Sequence, residues 1–238
     1  KDVNKYVRVI IKDSDGYIWA GSYNKIEKID WDNRKYQYFK IDHQVTCMAE
    51  KDEKCIWIGT TEGLYKIDKE DGKITTIDLP VMCKHISAIY QDNKNNVYIG
   101  TCGSGLLIYN LNNGEFISHR RKSCALFANN IYAIISNNDG DLLFSTEGGL
   151  TRYFHQNKTF YNWTSEQGLI STSFNYNACV HTKENTLIFG SNNGAIEFPD
   201  KATFPYENEE KIVFSNLRTI PKKSLYFPEE KSISIDIN

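Results

Sequence analysis

The chain has 238 residues, 40% apolar and 24% charged, which is the balance of a globular protein with a sizeable core and excludes a disordered tail. A net charge of −2 supplies no basic surface for nucleic acid or an anionic membrane. No apolar run approaches the ~18–20 residues of a membrane span, so neither nucleic acid nor membrane contact is expected of this segment.

Val7–Ser22, "VRVIIKDSDGYIWAGS", opens the chain with two β-branched and aromatic runs around the turn Asp13-Ser14-Asp15-Gly16. Cys55–Asp68, "CIWIGTTEGLYKID", reads as a strand, a Gly-containing turn and a second strand, which is a hairpin. "VYIGTCGSGLLIYN" at Val97–Asn110 repeats it. Aligned on the glycine that closes the first strand of the hairpin, a column appears at Gly21, Gly59, Gly100, Ser145 and Gly190, with spacings of 38, 41, 45 and 45 residues. That is the period of a propeller blade. Two residues before each anchor stands a large side chain: Trp19, Trp57, Tyr98, Leu143 or Ile188. Twelve residues before stand Val9, Cys47, Ala88, Ala133 and Ala178, small side chains suited to the strand nearest a crowded axis.

A turn glycine follows at Gly63, Gly105, Gly149 and Gly194, with Lys25 in the first repeat. Fourth strands are expected at Tyr36–Ile41, Lys73–Leu79, Glu115–His119 and Thr159–Trp163. No helical period interrupts the pattern. The fold class is therefore all-β, a β-propeller of four-stranded antiparallel blades, with five repeats at about 7–42, 45–82, 86–125, 131–165 and 174–200. Residues 201–210 read as a polar linker. Beyond it, "KIVFSNLRTI" and "KSISIDIN" alternate as two strands, so 211–238 is expected to begin a further β-domain.

Six cysteines lie far apart, with no CxxC and no zinc-ligand spacing. They read as free thiols, and a Cys47–Cys55 disulfide across a hairpin is the alternative. No cofactor or metal is expected. Asp13-x-Asp15-Gly lacks the later ligands and the distal Glu of a calcium loop and reads as a tight turn.

"DSDGYIWAGS", "EKCIWIGTTEGLYKID" and "NNVYIGTCGSGLLIYN" resemble the two-component regulator propeller repeat. "EQGLISTSFNYNACVHTKENTLIFGSNNGAIEFPDK", Glu166–Lys201, resembles the closing blade of the second propeller in hybrid two-component sensors of gut Bacteroidetes. Ser145, Lys25 and Asn185-Thr186 depart from that family's glycines. The resemblance implies the last five blades of a seven-bladed propeller, followed by the start of an Ig-like domain. It implies a periplasmic sensor region of an inner-membrane histidine kinase, with an oligosaccharide from glycan breakdown as ligand. The missing blades and the Ig-like domain of the parent chain would be its partners, and a homodimer is allowed.

In a meander blade the loops between strands two and three and those between blades emerge on one face. That face offers Tyr23, Asn24, His43, Gln44, His85, Asn130 and Asn175 as the candidate ligand-binding set, since a sugar needs an aromatic platform and side chains that donate and accept. The competing reading is that each residue caps its own turn. The five histidines share no repeat position, and carboxylates avoid the first strands, so a glycosidase or lyase site is disfavoured and no catalytic residue is assigned. A WD40-like interaction scaffold stays open as the other alternative, although a Trp-Asp pair occurs once only, at Trp31-Asp32.

Overall fold

The computed structural model describes residues 6–50, 54–121 and 126–200, and the backbone of 216–219 and 223–226. Residues Lys1–Lys201 form one compact unit. Blade one comprises β1 (Val9–Lys12), β2 (Ile18–Gly21), β3 (Lys25–Asp30) and β4 (Lys35–Lys40). Blade two has β5 (Val45–Glu50), β6 (Cys55–Thr60), β7 (Leu64–Asp68) and β8 (Ile74–Ile77), and blade three has β9 (Ile86–Gln91), β10 (Asn96–Thr101), β11 (Leu106–Asn110) and β12 (Phe116–His119). Blade four is β13 (Ile131–Ser136), β14 (Leu142–Thr146), β15 (Gly149–Phe154) and β16 (Thr159–Trp163). Blade five has three strands among the described residues: β17 (Phe174–His181), β18 (Thr186–Ser191) and β19 (Gly194–Pro199). Each sheet is an antiparallel meander in chain order, and the fold is a β-propeller arc.

One hydrophobic cluster lies between each pair of successive blades, so every blade buries its faces only by stacking. The repeat columns explain how. Val45 of blade two, Ile86 of blade three and Ile131 of blade four sit two residues before the small residue of their own strand. Each enters a notch above the anchor glycine of the preceding blade. A Cβ on Gly59 would lie 2.4 Å from Cys47 Sγ and 2.7 Å from Ile86 Cγ2; on Gly21 it would lie 2.6 Å from Val45 Cγ1, and on Gly100 2.8 Å from Ile131 Cγ2. The notch is filled from two sides, by the small residue of the same blade and by the β-branched residue of the next. Glycine is required there by space rather than by φ.

The large column faces the same way. Trp57 Nε1 donates to Gln91 Oε1 of blade three at 2.8 Å, and Tyr98 Oη lies 3.3 Å from His155 Nδ1 of blade four. Blade one is clasped to blade two by buried Lys69, whose Nζ lies 2.6 Å from both Asp15 and Glu50 and 3.6 Å from Asp13. Burial pushes the Lys69 pKa down, and the hydrogen bonds to Asp15 and Glu50 more than reverse this, holding it above the ordinary lysine value. Asp13 also accepts from the Tyr17 amide at 2.7 Å and Trp19 Nε1 at 2.8 Å, so its loop is a structural turn.

The first strand of blade one and that of blade five show no packing comparable to that between consecutive blades. The outward face of blade one leaves Ile10, Tyr36 and Tyr38 exposed, and that of blade five leaves Val180 exposed. Val7, at the knob position of blade one, is 44% exposed. Among the described residues, only Ala178 lies within 4 Å of a would-be Cβ on Gly190, the notch of blade five.

Cys47 pairs with Gly59 and Cys55 with Asp68, and both side chains are buried as reduced thiols; the cross-hairpin disulfide is not formed. Ala202–Asn238 is a second compact unit. In it β20 (Asn216–Thr219) pairs antiparallel with β21 (Lys223–Tyr226). The strand expected at 231–238 lies outside the described residues. Three residues separate β20 from β21, which is hairpin spacing.

Candidate functional site

The innermost strands carry a chain of hydrogen bonds around the axis. Thr46 Oγ1 of blade two donates to the Ile86 carbonyl of blade three at 2.6 Å. One blade on, Ser87 Oγ donates to the Ile131 carbonyl of blade four. Tyr132 of blade four holds the same repeat position and meets Tyr176 of blade five edge to face, with ring centroids 5.0 Å apart. Asn177, the blade-five counterpart, donates from Nδ2 to the Thr46 carbonyl at 2.9 Å. The inner rim thus runs from blade two through three, four and five and back to two.

At the mouth of this rim the turn between β10 and β11 meets the loop before β13. Cys102 forms a bridge with Asn130, and its amide donates to the His85 carbonyl at 3.0 Å. Cys102 Sγ lies 3.5 Å from Tyr176 Oη, and Cys83 Sγ donates to the Cys102 carbonyl at 2.7 Å. Asn130 Nδ2 donates to the Glu147 carboxylate. The hydrogen bond to Cys102 and then burial raise the Tyr176 pKa. Burial and then Glu147 raise that of Tyr132. Both phenols are neutral donors over the physiological range. Two tyrosine rings, the half-buried Asn130 amide, the exposed Asn177 amide and a carboxylate on one mouth can hold a neutral polar ring by stacking and reciprocal hydrogen bonds.

Among the residues expected on loops to bind ligand, His85 and Asn130 meet Cys102 at this rim, whereas Asn175 lies inside β17, next to Tyr176. Tyr23 and Asn24 are exposed on the turn after β2, where the Asn24 carbonyl accepts from the Ile41 amide at 3.2 Å. His43 and Gln44 are half-buried, and the Gln44 carbonyl accepts from the Thr61 amide at 3.1 Å. These four frame the junction of blades one and two. Thr46, Cys102, Tyr132, Tyr176 and Asn177 were outside the expected set, because all but Cys102 lie on first strands rather than loops. The legible signal was the knob column, β-branched at Val45, Ile86 and Ile131 but Tyr176 in blade five, together with Ser145 in place of the anchor glycine.

A separate groove of about 520 Å³ lies between blades two and three, walled by Trp57, Tyr109, Lys66 and Lys73. A second, of about 590 Å³, runs beside β19 and is lined by Trp163, Leu169, Ile170, Ile196 and Phe198. Among the described residues no group of three or more His, Cys, Asp and Glu is placed to hold a metal, and no helix is long and apolar enough to cross a membrane.

With this geometry, the class of the protein is a β-propeller, and residues 2–24 match the two-component regulator propeller family. The chain is similar to histidine kinase P4 of Formosa agariphila, at 22% identity over 222 residues, covering 85% of this chain and 16% of that protein. The extracellular domain of a hybrid two-component system of B. thetaiotaomicron superposes with a TM-score of 0.69 at 22% identity, covering 83% of this chain and 28% of that one. Streptogramin B lyase superposes with a TM-score of 0.64 at 14% identity, over 83% of this chain and 70% of the lyase. The chain therefore spans 16% of the curated relative and 28% of the sensor domain, and at these identities the structural likenesses speak for the fold alone.

Proposed function

We propose that this chain is a non-catalytic, ligand-sensing segment of the periplasmic region of a hybrid two-component sensor histidine kinase, and that its ligand is an oligosaccharide from glycan breakdown. The observation that carries this reading is the inner-rim mouth, where Tyr132 and Asn130 present an aromatic face and an amide together, with Tyr176 and its neighbour Asn175 against them. His85 belongs to the same mouth, whereas Tyr23, Asn24, His43 and Gln44 form an outlying part of the surface. The regulator-type repeat and the likeness to sensor extracellular domains support the setting. The non-catalytic reading is supported by the occupation of the carboxylates: Asp13, Asp92 and Asp141 each accept several hydrogen bonds within the fold.

Further blades of the parent chain are the partners in this reading, because Val7 is a knob without a notch and Gly190 a notch without a knob. Residues 211–238 belong, on the same reading, to the start of an Ig-like domain. A thermal-shift and calorimetric screen of this chain and of the longer periplasmic region, against neutral plant and host oligosaccharides, tests the ligand class. The reading predicts saturable binding that weakens on Tyr132→Ala. Reducing ends or unsaturated products appearing during the incubation, and lost on mutating one carboxylate, would contradict it.

A further inference from the structure

Blade five breaks the rule of the innermost strands at one place. Phe174 pairs with Ser191 and Cys179 with Phe189, so Asn175–Ala178 stand opposite Gly190 alone. Asn177 turns the chain through a left-handed φ of 54°, a conformation asparagine tolerates better than most residues. By count from Ala178, Tyr176 stands where Val45, Ile86 and Ile131 stand, but the pairing gives that place to buried Phe174, which meets Ser191 as Val45 meets Thr60 and Ile131 meets Thr146, and Tyr176 is left 56% exposed. Phe174 packs with Leu143 and Leu150 of blade four, whose anchor position carries Ser145 instead of glycine, with Oγ buried and without a hydrogen-bond partner.

The bulge is therefore not filling its own junction. It reaches across the rim, where Asn177 Nδ2 holds the Thr46 carbonyl, 131 residues away in sequence. Tyr176 places its ring edge-on to Tyr132 and its hydroxyl beside Cys102 Sγ.

We propose that Asn175–Asn177 form a latch occupying a ligand site at the inner rim, and that the latch mimics the ligand it yields to. Tyr176 supplies a ring against Tyr132 and a hydroxyl at Cys102; Asn177 supplies a donor to the Thr46 carbonyl. A neutral ring bearing hydroxyl groups offers all three, and this ligand class rests on the sensing function proposed above. The latch itself rests on the bulge geometry. It is held by one neutral hydrogen bond, one sulfur–oxygen contact and one aromatic edge, each of small net worth. A ligand that makes the same contacts thus displaces it at small cost.

The test reads how often the latch opens, through labelling of the Cys102 thiol by iodoacetamide, followed by peptide mass spectrometry on the intact chain. Asn177→Gly removes the amide while suiting the left-handed backbone, and Tyr176→Phe removes the hydroxyl alone. Each is expected to speed Cys102 labelling about fivefold, the worth of one ordinary hydrogen bond. Asn112→Ala, in an exposed turn of blade three, should leave it unchanged, and denaturation midpoints identify any variant that merely unfolds. Equal Cys102 rates in the wild type and both folded variants overturn the latch. Malto- and xylo-oligosaccharides added to the wild type form the second arm. A changed Cys102 rate supports both latch and ligand class. Faster labelling in the variants with no response to any sugar leaves the latch standing and removes oligosaccharides as its ligand.

Discussion

Between blades one and four, each junction seats Val45, Ile86 or Ile131 over Gly21, Gly59 or Gly100, whereas between blades four and five the facing anchor is Ser145, the knob place is taken by the aromatic Phe174, and a bulge at Asn175–Asn177 follows it. The regular junctions show what the repeat is for. A β-branched side chain is stiff, fits a pleated surface and loses little freedom when seated. It is accepted only where the facing strand has no Cβ. At the irregular junction the facing strand carries Ser145, a larger ring takes the knob place, and the three bulge residues after it are exposed.

The largest contrast should come from removing a knob. Ile86 is fully buried, and Ile86→Ala is expected to cost about 3–4 kcal/mol, as a core truncation that leaves a cavity. Val7→Ala removes the equivalent, unseated side chain and should stay within about 0.5 kcal/mol. Urea denaturation of both variants checks this, and equal losses would remove the distinction between junctions and ends.

Filling a notch is the next largest. Gly59→Val drives a branched Cβ into Cys47 and Ile86 and should cost about 3 kcal/mol. Gly190→Val meets only Ala178 and should cost about 1 kcal/mol or less, since valine suits a strand. The same denaturation series reads both.

Alkaline pH separates blade two from blade five more gently. Burial pushes the Cys47 thiol up to about 12 and the Cys179 thiol to about 11, from ordinary values near 9. A raised folded pKa means that the contribution to stability is complete below about pH 9 and is lost as pH climbs toward the folded value. Cys47→Ala should therefore flatten the decline of stability between pH 9 and 12 more than Cys179→Ala does. The smallest effect lies at acid pH. Burial tends to raise the Asp92 carboxyl, but the Asn96 side chain and amide outweigh it and hold the pKa below its ordinary value. Its contribution is present above the ordinary carboxylate range and is lost as pH falls through the lowered one. Asp92→Asn should make melting temperature less sensitive to pH in that acid window.

The regular part of this comparison was legible in the sequence because it repeats. Gly21, Gly59 and Gly100, with Trp19, Trp57 and Tyr98 two residues earlier, announce strand, notch and inter-blade stacking. The hairpins of blades two and three fall where those columns put them, within a residue or two. The site was less legible because loops were searched while the polar groups sit on first strands, where the pattern calls for small or apolar residues. Tyr176 and Ser145 are each minor departures in their own columns. Only the three-dimensional pairing shows that Phe174 rather than Tyr176 takes the knob place beside blade four, and Asn177 gave no local hint of a partner 131 residues away. In the second unit, alternation alone placed a strand at 231–238, while the described partner of Asn216–Thr219 is Lys223–Tyr226.

The central claim is that seated knobs make the junctions between blades one and four cooperative, while blade five carries an openable inner strand. Native-state hydrogen exchange, resolved by residue, tests it most directly. The account predicts slow, globally limited exchange for the amides of β5, β9 and β13. The amides of Asn175–Ala178 and the Asn177 side-chain NH₂ should exchange through a local opening that denaturant barely affects. Uniform protection across β5, β9, β13 and β17, all with the same denaturant dependence, would contradict it.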